Sequence, residues 1–157
     1  MKTKLLLIED EPDLADNIKN ILELNEFDVT TARDGEEGIK LAAQIVPDII
    51  ISDILMPKKT GYEVLEQLSK DEKTSHIPFI FLTAKVEQRD LRKGMELGAD
   101  DYLFKPFHSR ELLSAIKARL KRVSSFKTKS IKTKDEKGNR YTQDDNIILS
   151  INQNTNI

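Results

Sequence analysis

Short unbroken apolar runs alternate along this chain with longer segments in which apolar residues return every three or four positions. Lys4–Ile8, Phe27–Ala32, Ile49–Ile51 leading into Asp53, Pro78–Thr83 and Asp101–Lys105 read as strands. Between them lie amphipathic helices. Leu14, Ile18, Ile21 and Leu22 stripe one that Pro12 starts and that ends near Asn25. Gly35 opens a second, with Ile39, Ala42, Ala43 and Val46 as its inner face. Tyr62, Leu65 and Leu68 mark a third, after the loop Pro57–Gly61. Glu87–Leu97 is a fourth, polar apart from Leu91, Met95 and Leu97, with Gly98 as its C-cap. Ser109 caps a fifth, Arg110–Arg122, whose inner positions are Leu112, Leu113, Ile116 and Leu120.

The run Ile49–Ile51 is β-branched and lacks polar alternation, as expected of a central strand covered on both faces. Five strands alternating with five helices predict an α/β fold for residues 1–122. Its core is a doubly wound five-stranded parallel sheet with right-handed crossovers and helices on both faces. After Val123 the composition shifts. Ser124–Lys134 is rich in Ser, Thr and Lys and reads as a linker, with Asp135–Asn139 as a turn and Ile147–Leu149 as a short strand. Residues 123–157 therefore form either a basic tail or the start of an output domain.

Charge sharpens that division. The net charge is −2, yet the stretch from Arg122 onward holds seven Lys/Arg against four Asp/Glu. Cysteine is absent, which excludes a disulfide framework, a thiolate metal site and a cysteine nucleophile. The opening apolar run, Leu5–Ile8, is too short for an export signal and ends in Glu9-Asp10-Glu11. With no stretch of transmembrane length, the expectation is a cytoplasmic chain that does not engage a membrane.

The chemistry lies at the strand ends. In a doubly wound sheet they converge on one crevice, and here they bring Glu9 and Asp10, Asp53, Thr83 and Lys105. One acidic residue at a strand end is usually a turn cap, but five such side chains at one edge make a site. Three carboxylates repel one another unless a cation compensates. An oxygen-only ligand set points to Mg²⁺ or a similar hard cation. A carboxylate beside such an ion is a competent nucleophile towards phosphorus and forms an aspartyl phosphate. Lys105 would hold Asp53 and then a phosphoryl oxygen, and Thr83 would donate a hydrogen bond to another.

These residues carry a resemblance. Leu6–Glu11, Asp53–Pro57 with Gly61, Leu82-Thr83-Ala84 and Gly98–Phe107 are similar, in order and spacing, to the receiver domain of two-component response regulators, a flavodoxin-like, CheY-like fold. The match covers about residues 3–122. It implies that Asp53 is the phosphoacceptor, served by a sensor histidine kinase or a phosphotransfer protein. It implies Mg²⁺ ligated by Asp10, Asp53 and the backbone carbonyl of Leu55, with Glu9 at the ion directly or through water. The family more often has aspartate where Glu9 stands. It further implies a cis Lys105–Pro106 bond, a Thr83 that swings towards the phosphoryl group, and Tyr102 as an aromatic switch that is also a half-buried edge-strand residue. Helix 4, strand 5 and helix 5 would be the output face and a possible homodimer surface. Leu91 and Ala115 stand where the winged-helix subgroup has basic residues, which argues against that subgroup's dimer.

Leu55 and Lys85 flank the phosphoryl site in this resemblance, and Lys85 is expected to screen water and lengthen the phosphorylated lifetime. The chain is a stand-alone receiver with a tail, or the front of a longer regulator with a β-rich module similar to LytTR-type DNA-binding domains. DNA is a partner only if the chain carries such a domain. Its role is then that of a signalling switch catalysing only its own phosphorylation and dephosphorylation. The competing enzyme reading is a Mg²⁺ phosphohydrolase of the haloacid dehalogenase type. It needs a second carboxylate two residues beyond the nucleophile, where this chain has Leu55.

Overall fold

The computed structural model describes residues 1–84, 88–129, 132–134 and 140–142, and side-chain surroundings for 1–84 and 91–122. Lys85 and the Ile147–Leu149 segment lie outside the described residues. The chain divides into two compact units, Met1–Lys117 and Ala118–Ile157.

In the first unit five strands alternate with helices: β1 (Thr3–Ile8), α1 (Pro12–Leu24), β2 (Phe27–Ala32), α2 (Gly35–Ile45), β3 (Ile49–Asp53), α3 (Gly61–Ser69), β4 (Phe79–Thr83), α4 (Gln88–Glu96), β5 (Asp101–Phe104) and the start of α5 (Ser109–Lys129). All pairings are parallel, in the order β2-β1-β3-β4-β5. The strand order reverses between β1 and β3, and in open α/β sheets that is where the ligand crevice opens. β3 is buried at every position, as its apolar run requires.

Pleating sends alternate residues to opposite faces. Leu6, Ile8, Ile50, Phe79 and Phe81 form one core with Ala42 of α2 and Val64, Leu65 and Leu68 of α3. On the other face, the buried residues Ile18 and Leu22 of α1 and Leu112 and Ile116 of α5 provide the cover.

Several helix faces depart from the periodic reading. Ala43 and Val46 are exposed, whereas Gly35, Gly38 and Ala42 are the buried residues of α2. The helix stops at Ile45, and Val46 turns into the left-handed region (φ 44°), leaving the stripe. Met95 is also exposed, and among the residues of α4 whose burial is described Gly94 is the buried one. Ser109 is the first helical residue rather than the cap; the backbone N–H of His108 instead donates to the Glu111 carboxylate.

In the expected linker, α5 runs on to Lys129. That extension contains no Gly or Pro, and Ser and Thr cost a helix only modestly. Beyond it β6 (Lys132–Lys134) and β7 (Arg140–Thr142) pair antiparallel.

Val46 is β-branched, exposed and left-handed, a combination costing roughly 1–2 kcal/mol against glycine. Val46→Gly is expected to stabilise the fold by about 1 kcal/mol. A thermal melt should show the gain as a midpoint raised by a few degrees, and a lowered midpoint would contradict it.

Candidate functional site

The parallel register sets the site. Ile8 lies opposite Ser52, so the next residue on each strand, Glu9 and Asp53, emerge side by side. Two strands further along, Thr83 pairs with Phe104, and the backbone N–H of Lys105 donates to the Thr83 carbonyl at 2.8 Å. Thr83 is buried there. The Lys105–Pro106 peptide is cis.

From β5 the Lys105 ammonium reaches across to both acids. Its Nζ lies 3.1 Å from Glu9 Oε1 and 3.1 Å from Asp53 Oδ2. Backbone donors hold the remaining oxygens: Ile54 N–H donates to Asp53 Oδ1 at 2.7 Å, and Glu11 N–H to Glu9 Oε2 at 3.2 Å. Ser52, fully buried, donates its hydroxyl to the Asp53 carbonyl. No periodicity or motif in the sequence singles out Ser52.

Burial, reinforced by the Asp53 charge, pushes the Glu9 carboxyl up to about 7, against the opposing pull of the Glu11 N–H and Lys105. Burial alone would pull the Lys105 ammonium down. Its hydrogen bond to Asp53 and the charges of Asp53 and Glu9 outweigh that and hold it above its ordinary value.

Glu9, Asp10 and Asp53 each offer a carboxylate oxygen, all within 4.8 Å of one another. Opposite ligands of an octahedral Mg²⁺ are about 4.2 Å apart, so small movements would let all three oxygens meet one ion. The oxygen-only donor set and the raised Glu9 pKa both fit a hard divalent cation, whose charge would relieve the crowding of acids. Leu55, in the loop after Asp53, exposes its apolar side chain. It thus supplies no second carboxylate of the kind a phosphohydrolase needs.

Tyr102 is half-buried on β5, its ring 5.2 Å from Phe81 and 6.4 Å from Phe104. Its hydroxyl donates to the Leu91 carbonyl of α4 at 3.2 Å. A Cβ on Gly94 would collide with that hydroxyl, so the glycine forms the notch that admits Tyr102. Phe81 also meets Tyr62 and Phe79 edge-on. An aromatic path thereby runs from the interior of β4 to α4.

The model of the response regulator receiver domain family matches residues 5–117. This chain belongs to that family. The receiver is 41% identical over 120 residues to the DNA-binding dual master transcriptional regulator RpaA of Synechocystis sp., covering 76% of this chain and 50% of that protein. It is 43% identical over 122 residues to the alkaline phosphatase synthesis transcriptional regulatory protein PhoP of Bacillus subtilis, with coverages of 78% and 50%. The chain thus spans about half the length of the curated relatives it matches. Among solved structures, the receiver domain of a Pseudomonas aeruginosa sensor histidine kinase, with a magnesium ion coordinated in its active site cleft, matches with a TM-score of 0.71. Identity there is 29%, over 76% of this chain and 98% of that one. Among the described residues of this receiver, no helix is long and apolar enough to cross a membrane.

Glu9 ionises near 4.5 when unfolded and near 7 when folded, so between these values only the folded state keeps its proton. The stability of the metal-free receiver is therefore expected to fall as pH rises from about 4.5 to about 7. Chemical denaturation across that window should show the decline, flattened in Glu9→Gln. Gly94→Ala is expected to expel Tyr102 from its notch. Fluorotyrosine NMR, with the Tyr102 signal assigned by Tyr102→Phe, should then show a more solvent-exposed ring; an unmoved signal would refute the notch.

Proposed function

We propose that this receiver is a phosphorylation switch in which Asp53 takes a phosphoryl group from a phosphohistidine of a sensor histidine kinase or phosphotransfer protein. The observation that carries this reading is the Lys105 ammonium, 3.1 Å from both Asp53 and Glu9 at the edge of a three-carboxylate cluster. Mg²⁺ is the cofactor that suits the cluster, with Glu9, Asp10, Asp53 and the Leu55 carbonyl as its protein ligands. Once bound it neutralises charge developing on the transferring group.

The chain's own residues do the rest. An Asp53 oxygen attacks phosphorus, the phosphorus–nitrogen bond breaks, and the leaving imidazole keeps the electron pair. Lys105 first holds Asp53 in place and then pairs with a phosphoryl oxygen. The Thr83 hydroxyl donates to a second oxygen. An open apolar groove of about 490 Å³ beside Lys105, lined by Leu14, Ile18, Ile21, Pro106 and Phe107, offers the phosphodonor protein a seat. The receiver also catalyses loss of its own phosphoryl group to water.

The added charge of about −1.5 to −2 biases a two-state equilibrium in Thr83, in α4 and in Tyr102. The α4–β5–α5 face then carries the signal, to a second copy or to another partner. Residues 1–122 form the phosphoacceptor domain, and 123–157 a basic linker or tail, or the start of an output domain. Because the matched relatives are named as transcriptional regulators and are about twice the matched length, transcription through an attached DNA-binding domain is the output we favour.

Incubation with Mg²⁺ and acetyl phosphate is expected to add one phosphoryl group to the wild-type chain by intact-mass spectrometry. Asp53→Asn should add none, and chelation of Mg²⁺ should abolish the gain. A phosphoryl group retained on Asp53→Asn would disprove the assignment.

A further inference from the structure

The loop from Asp53 to α3 contains a backbone bend that its own sequence does not favour. Lys58 adopts φ 71°, and the Lys59 N–H donates to the Pro57 carbonyl at 2.8 Å. This is a γ-turn with positive φ, a rare and strained form for a residue with a Cβ. Such strain persists only where the surroundings over-determine it.

Those surroundings come from the first turn of α2. The Lys58 ammonium lies 3.7 Å from Asp34 Oδ2 and 3.7 Å from Glu36 Oε1. Asp34 is the N-cap of α2, and its other oxygen, Oδ1, accepts the Glu37 N–H at 2.8 Å. One carboxylate thus ties the loop and the helix together. Gly35, the next residue, lies so close to the loop that a Cβ there would overlap the Lys59 carbonyl oxygen and stand 2.8 Å from the Lys59 Cβ.

One turn further, a Cβ on Gly38 would overlap Ile8, the residue before Glu9. At the far end of the loop, a Cβ on Gly61 would overlap the Asp53 carbonyl, and the Gly61 N–H donates to the Ile54 carbonyl at 2.7 Å. The start of α2 therefore packs against both the end of β1, just before Glu9, and the loop that follows Asp53, although none of its residues belongs to the acidic cluster.

We propose that Asp34, Gly35 and Lys58 are positioning residues for the metal site. By clamping the strained turn they hold the Leu55 segment against the carboxylates, and so set the affinity for Mg²⁺. This inference rests on the phosphoacceptor reading and extends it to residues outside the cluster.

The simpler alternative is that Asp34 only caps α2 and that Lys58 makes an exposed ion pair of little consequence. A small set of substitutions separates the two. Asp34→Asn keeps a capping oxygen but removes the charge. Lys58→Ala removes the ammonium but keeps the turn strained, and Lys58→Arg restores a cation. Gly35→Ala tests the close approach directly.

Mg²⁺ binding to the full chain would be measured by isothermal calorimetry, alongside thermal melts without metal. Asp34→Asn and Lys58→Ala are each expected to weaken binding about two- to fivefold, in keeping with the strength of a partly exposed pair. The double variant should lose no more than the larger single loss, because both remove the same contact. Lys58→Arg should bind as wild type, and Gly35→Ala should weaken binding more than either charge variant. Metal-free melting points of Asp34→Asn and Lys58→Ala should stay near wild type. Wild-type binding with unchanged affinity in all variants would overturn the proposal, as would losses that track the metal-free melting point. A wild-type chain that binds no Mg²⁺ would overturn the phosphoacceptor reading itself, and this inference with it.

Discussion

A single ammonium makes the rest of the site tolerable. Glu9 is almost wholly buried and sits beside Asp53, an arrangement that mutual repulsion and desolvation both oppose. Lys105 arrives from β5, on the far side of β4, and places its charge 3.1 Å from each of them. A long flexible stem is needed to cover that distance, and a compact ammonium is needed to serve two acids at once. Even so, Glu9 remains hard to ionise, so the pocket is left short of positive charge. That residual shortage makes a divalent cation the natural complement.

Much of this is legible in the sequence because parallel βα architecture is modular. Unbroken apolar runs mark buried strands, and the residue just past each run falls at the same edge of the sheet. Glu9, Asp10, Asp53 and Lys105 obey that rule, and the structure brings their charged groups together. Helix faces are less legible. Ala43 and Met95 fit a 3.6-residue stripe, but Gly38 and Gly94 let Ile8 and Tyr102 approach so closely that these glycines, not their apolar neighbours, form the contact. A glycine has no hydrophobicity for a periodic pattern to register. The pairing of Lys58 with Asp34 is equally hidden, since nothing local links two loops that only the fold brings together. The length of α5 escapes a compositional reading for another reason: Ser and Thr suggest a linker, yet no helix breaker interrupts the run.

Phe81 joins these regions. It lies on β4 two residues before Thr83, and it touches Tyr62 of α3 and Tyr102 of β5. Close-packed interiors transmit displacement because few voids can absorb it. A shift at Thr83 therefore has a short packed route to the Tyr102 hydroxyl and the α4 carbonyl that receives it.

The left-handed residues show how the fold divides its tasks. Glu26 and Val46 lie where α1 and α2 hand over to β2 and β3, at the sheet edge remote from the carboxylates, whereas Lys58 lies at the acidic edge. Backbone strain at the remote edge has no reacting group near it, while strain at Lys58 adjoins the cluster. Durability and reactivity are thereby distributed over opposite rims of one sheet. A lineage, or an engineer, can harden the first by ordinary turn substitutions and leave the second untouched.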